Sequence, residues 1–159
     1  MIGAGMNNAS NFERLSQIQE GIIDFTLGQV VSNVEKLYIQ GKVTDDGLGN
    51  ITSVQGQLEY AIVNGKVVDN IKVVTKEEYR ENSRFILPRI EELHDLLIAL
   101  QGKSPVRFRW AVDTKTGQVE SDWTYYDDLT AEEKKDDFWQ NWEGDFAWKA
   151  QLEAELAGE

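Results

Sequence analysis

The chain of 159 residues contains no cysteine, a single histidine and two prolines. Without cysteine there is no disulfide framework, no thiolate metal site and no thiol nucleophile. With His94 alone, no paired-histidine metal motif can form. No apolar run reaches the roughly 18 residues that a membrane-spanning helix needs. MIGAGMNNAS lacks the basic start and apolar stretch of a signal peptide. Together these absences predict a cytoplasmic protein that does not enter the membrane. Neither a glycine-rich phosphate loop nor a nucleophile elbow occurs, and both would be legible in sequence.

Positive charge is scarce where negative charge is densest. From Asp113 onward there are 14 acidic residues against four basic ones (Lys115, Lys134, Lys135 and Lys149), so ten of the chain's 12 net negative charges fall in its last 47 residues. Such a field repels nucleic acid and anionic membrane and draws cationic partners. The stretch SDWTYYDDLTAEEKKDDFWQNWEGDF (Ser121 to Phe146) holds nine carboxylates and seven aromatic rings with two lysines. Rings leave water readily and carboxylates do not, so the segment either sorts them onto opposite faces or keeps them together for a partner.

Hydrophobic spacing gives the elements. Ser10 to Glu13 reads as a capping box that opens a helix with an apolar stripe of Leu15, Ile18, Ile22 and Phe25. Alternation then predicts a strand with Leu37 and Ile39 facing one way, and a second with Leu58, Tyr60 and Ile62 facing one way. TDDGLGN (Thr44 to Asn50) separates them as an ordinary turn; it lacks the alternate ligands of a calcium loop. Asn64-Gly65 is a hairpin signal leading to a third strand near Lys66 to Val74. Thr75 to Glu78 is a second capping box, and Ile86, Ile90, Leu93, Leu97 and Leu100 form the stripe of the helix it announces. Pro88 leaves two options there: a helix that stops near Phe85 and restarts, or one helix that kinks.

Val106, Phe108, Trp110 and Val112 alternate with Arg107, Arg109 and Ala111, then turn at Asp113 to Gly117 into Val119 to Tyr126. Pairing Asp113 with Gln118 would set Phe108 opposite Trp123 and Arg109 opposite Asp122: an aromatic core face and a charge-paired outer face. Thr130 to Glu133 caps a final helix. On a helical wheel Phe138, Trp139, Trp142 and Phe146 cluster opposite Glu132, Glu133, Asp136, Asp137 and Glu143, and Trp148 projects to the acidic side if the helix runs through Gly144. The order α-β-β-β-α-β-β-α predicts one α+β domain over residues 10–156, its antiparallel sheet of about five strands covered by helices. Residues 1–9 are expected as a flexible N-terminus and 157–159 as a tail.

RFRWAVDTKTGQV, then WTYYDDL, then a tryptophan-bearing helix resembles the C-terminal half of the YezG-like immunity (antitoxin) proteins of bacterial polymorphic toxin systems. The matching residues are Gly117, Tyr126, Asp127, Asp128, Leu129, Trp139 and Trp142. The resemblance covers roughly Leu93 to Trp142, and earlier it rests on element order. It implies a non-catalytic protein without cofactor or metal that binds and neutralises a cognate basic toxin domain, in particular a nuclease, and does not bind nucleic acid itself. Tyr126, Asp127, Asp128, Glu132, Glu133, Asp136, Asp137, Glu143 and Trp148 are the residues expected to meet that partner, the carboxylates steering and the rings anchoring. Two alternatives stay open: an acidic nucleic-acid mimic or adaptor acting on another basic protein, and a carboxylate-based hydrolase. His94 is read as a packing residue; Asp95, one position on, is expected to point away from it.

Overall fold

Among the described residues five strands form one antiparallel sheet in the spatial order β3-β2-β1-β4-β5: β1 (Lys36–Asp45), β2 (Ile51–Val63), β3 (Lys66–Val68), β4 (Arg107–Asp113) and β5 (Val119–Thr124). The computed structural model describes residues 2–29, 33–69 and 75–158, with the side chains at 2–9, 56–58, 136, 138 and 142 left aside. Four helices complete the described chain: α1 (Ile2–Leu27), α2 (Lys76–Gln101), the single turn α3 (Ala131–Lys134) and α4 (Trp142–Ala157). The architecture is the α+β domain that the element order predicts.

Alternation decides which residues face which layer. Leu37, Ile39 and Val43 of β1 and Phe108, Trp110 and Val112 of β4 project to one face, where Ile18 and Ile22 of α1 and Ile86, Ile90, Leu93 and Leu97 of α2 close over them. On the opposite face Tyr60, Ile62 and Val67 pack against Trp148 and Leu152 of α4. The sheet is therefore buried on both sides at its centre, which is why β1 is buried continuously from Ile39 to Val43.

Local chemistry sets the ends. Asn64 and Gly65 both take positive φ (51° and 74°), the two-residue turn whose twist matches paired strands. In the β1–β2 turn the carboxylates serve the loop itself: Asp46 accepts from the amides of Leu48 and Asn50 and from the Asn50 side chain, and Asp45 accepts from the Gly47 amide. Thr75 caps α2 by accepting from the Glu78 amide, and Gly102 ends it in the left-handed region, donating to the Ile98 carbonyl. Pro88 lies inside this helix, so the chain takes the continuous option. An interior proline costs about 3 kcal/mol. Burial of Ile86, Ile90, Leu93 and Leu97 at about 1.5–3 kcal/mol each outweighs it.

Two expectations are revised, the start of the first helix and the continuity of the last, while the expected far end of the third strand lies outside the described residues. α1 runs from Ile2, so Ser10 to Glu13 lies within the helix and 2–9 belong to it. The third strand is described as Lys66–Val68; residues 70–74 lie outside the described chain. The last helix is broken. α3 is followed by a 3-10 segment (Lys135–Gln140), in which Asp137 takes φ 53°, and α4 restarts with Asn141 accepting from the Glu143 amide. Like charges four apart, Glu132 with Asp136 and Glu133 with Asp137, weaken a continuous helix there. Asn141 is also a strong N-cap.

Candidate functional site

The hairpin register is the one the sequence implies: Phe108 lies opposite Trp123, Arg109 opposite Asp122, and the Asp113 amide donates to the Gln118 carbonyl. The Phe108 and Trp123 rings meet edge-on at 5.2 Å. From β5 the chain enters a 3-10 turn, Tyr126–Asp128, closed by the Leu129 amide donating to the Tyr126 carbonyl. This turn sorts YYDDL one residue at a time. Tyr125 is tied back to the end of α2 by the Gln101 amide group (2.6 Å), Leu129 is buried, and Tyr126, Asp127 and Asp128 between them point outward. Thr130 then forms a complete capping box with Glu133.

Along this stretch Asp127, Asp128, Glu132, Asp137 and Glu143 are exposed, and among the described residues none forms an ion pair. Tyr126, 51 % exposed, stands beside them with the Lys134 ammonium 4.8 Å from its ring centre. A shallow cleft of about 330 Å³ opens next to it, lined by Thr44, Val106, Trp139 and Gln140 among others.

Two of the remaining expected partner residues, Glu133 and Trp148, differ. Glu133 is part-buried and held by Arg107 at 2.7 Å. Burial pushes its carboxyl up, but the Arg107 hydrogen bond, the Thr130 amide and the Arg107 charge together bring it below the ordinary 4.5. It is a structural anion. Trp148 is 6 % exposed, meeting Tyr60 at 5.2 Å and Tyr38 at 6.3 Å edge-on. The helix break resets the phase of the wheel, so Asp145, Trp148, Leu152 and Leu156 now form the stripe that faces the sheet, while Phe146 is exposed. The Asp136 side chain lies outside the described residues.

Beneath α4 sits a polar layer that sequence periodicity did not anticipate. Lys42, 4 % exposed, sends its ammonium up from β1 to the Trp139 and Gln140 carbonyls (3.4 and 3.0 Å) and to Asp145 (3.1 Å). The helix break frees those carbonyls, and the lysine satisfies them. Burial drives the Lys42 pKa down, partly offset by the Asp145 charge. Gln40 donates to Asp145 (2.9 Å) and accepts from Arg109 Nε (2.8 Å), whose guanidinium lies 4.2 Å from the Trp148 ring centre. The Tyr60 hydroxyl donates to the Asp145 carbonyl, and burial followed by the Asp145 charge raises its pKa to about 12. The expected charge pair between Arg109 and Asp122 is absent among the described residues: Gln40 and Trp148 draw the arginine the other way. Its sequence signal was the Arg-x-Arg alternation in β4, which put both cations on the face opposite Phe108.

His94 is 1 % exposed, with Nε2 3.2 Å from Asp45 and Nδ1 3.2 Å from Asp95. Asp95 reaches back to its neighbour after all, because a short carboxylate can span to the near ring nitrogen. With both nitrogens engaged and no exposed surface, the imidazole ties α2 to the end of β1. Among the described residues no group of three or more histidine, aspartate or glutamate side chains is arranged to hold a metal ion, and no helix is long and apolar enough to cross a membrane. No family model matches the chain, and no curated protein matches it significantly.

Proposed function

We propose that this chain is an immunity protein, a non-catalytic cytoplasmic inhibitor that binds a cognate cationic toxin domain, in particular a nuclease, through the Tyr126 to Glu143 surface. One observation carries the reading. Five carboxylates (Asp127, Asp128, Glu132, Asp137 and Glu143) stand exposed within 17 residues of chain without an intramolecular ion pair among the described residues. Fixed anions that the fold does not neutralise are available to a partner. Clustered like charge repels itself in the compact state, a cost that a surface of interspersed signs avoids.

A nuclease presents cations to phosphate, so an acidic surface is complementary to its substrate cleft. Steering by such charge lifts association toward about 10⁸–10⁹ M⁻¹s⁻¹ at low salt, from about 10⁵–10⁶ for a neutral pair. Charge alone gives speed; tightness needs a ring in a desolvated contact. Tyr126, with the cleft beside it, supplies the anchor. The likeness of RFRWAVDTKTGQV and WTYYDDL to YezG-like proteins points the same way.

The test is direct. The protein is mixed at equimolar ratio with a basic nuclease toxin domain encoded in the same gene neighbourhood, and nuclease activity is followed alongside association by stopped flow. Inhibition is expected, with the Asp128→Lys, Glu132→Lys, Asp137→Lys triple variant associating about 10- to 100-fold more slowly at low salt while keeping its fold. Association unchanged by the triple reversal would exclude this surface as the site.

A further inference from the structure

Arg109 and Asp122 are direct cross-strand neighbours on the α4 side of the sheet. That register sets their Cβ atoms about 5 Å apart. Yet the pair stays open. The Arg109 Nε is committed to Gln40 on β1, and the guanidinium plane rests against Trp148 of α4. Asp122 remains exposed on β5, with Glu120 two positions along the same face. A cleft of about 200 Å³ lies between them, bordered by Ala111, Trp148 and Leu152. Among the described residues, no carboxylate or carbonyl accepts from the two terminal amino groups of Arg109.

We propose that this cleft binds a free α-amino acid as its zwitterion, the carboxylate taken by the terminal amino groups of Arg109 and the α-ammonium by Asp122. The guanidinium fork matches a carboxylate with two parallel hydrogen bonds. Gln40 and Trp148 already hold it in place, so little side-chain freedom is lost on binding. Burial, then the charge of Arg107, presses the Arg109 pKa down to about 9 against the opposing charges of Asp122, Glu133 and Asp145, and the group still carries its charge at neutral pH.

The surroundings select against ligands of one sign. Glu120, Asp122 and Glu155 border the cleft on a chain of net charge −12 and oppose a phosphate or a nucleic acid. Lys36 and Arg109 oppose a simple cation. Opposite charges one amino-acid backbone apart satisfy both. The cleft is of a size to seat a single residue, and Trp148 with Leu152 favours an apolar side chain.

Leucine is the probe, titrated into the full chain while the Arg109 Nε–H and Trp148 indole N–H resonances are followed by ¹⁵N NMR, with calorimetry for affinity. Saturable binding that moves both resonances is expected. Acetate, methylammonium and inorganic phosphate should bind at least about tenfold more weakly, and R109Q and D122N should each lose at least about tenfold for leucine. The exposed D122N decides alone if R109Q proves unfolded by circular dichroism. No saturable shift with leucine, acetate or phosphate binding as tightly as leucine, or leucine affinity unchanged in D122N would each overturn the assignment.

Discussion

Lys42→Met asks whether the break between α3 and α4 is held from below by one buried ammonium. Methionine keeps most of the aliphatic stem, so packing changes little and the loss falls on the three donor contacts. Those contacts are 3.0 Å to the Gln140 carbonyl, 3.1 Å to Asp145 and 3.4 Å to the Trp139 carbonyl. Removing one partner of a buried ion pair typically costs about 3–5 kcal/mol, because the other charge is left uncompensated. The Asp145 side chain is 24 % exposed and keeps its bond from Gln40, so water recovers part of the loss. A net cost of about 2–4 kcal/mol follows, or a fall in Tm of about 5–15 °C for a domain of this size. Urea unfolding followed by tryptophan fluorescence measures the first and a thermal scan the second. The double variant K42M/D145L should cost less than the sum of its parts, since it leaves no orphaned charge. A K42M protein within about 0.5 kcal/mol of the parent would refute the account of the break.

Trp148→Ala should destabilise by about 3–5 kcal/mol, read by the same urea titration, whereas Tyr126→Ala should stay within about 0.5 kcal/mol yet weaken partner binding. His94→Ala is expected to cost about 1–3 kcal/mol through the stranded Asp45 contact while leaving inhibition at saturating protein unchanged, checked by unfolding and by the nuclease assay. Glu92, held below its ordinary 4.5 by Arg14 hydrogen bonds, and Glu133, lowered by Arg107 and Thr130 against the pull of burial, are both depressed in the folded chain. Each therefore adds stability that is present above pH 4.5 and lost as pH falls through its folded value. Unfolding free energy measured from about pH 6 to about pH 3 should fall, and R107Q should flatten part of that slope.

What could be read from sequence follows the range of the forces involved. The β4–β5 register was legible because alternation in RFRWAVD and the turn at Gly117 are local signals, and one pairing fixes all the rest. The aliphatic stripe of α2 was legible too, although Pro88 left its continuity undecided until its burial against the sheet was known. The phase of α4 was not. A wheel carried on from Thr130 assumed an unbroken helix, and Lys42, 97 residues before Trp139, helps hold the break. That misplaced Trp148 and Phe146 together, since a break moves every later side chain at once. Asp127, Asp128, Glu132, Asp137 and Glu143 were correctly read as outward because solvation of a carboxylate needs no knowledge of the fold. Glu133 was misjudged because its capture depends on where Arg107 lands.

The outer strand β5 pairs with β4 on one side and has no described strand on the other. An open sheet margin is a template on which a second copy could add its own backbone. Here that margin is six residues long and carries Glu120 and Asp122. Two molecules approaching margin to margin would bring like charges together before any backbone bond could form. The acid that marks this end of the chain thus sets an electrostatic cost against strand addition at this margin.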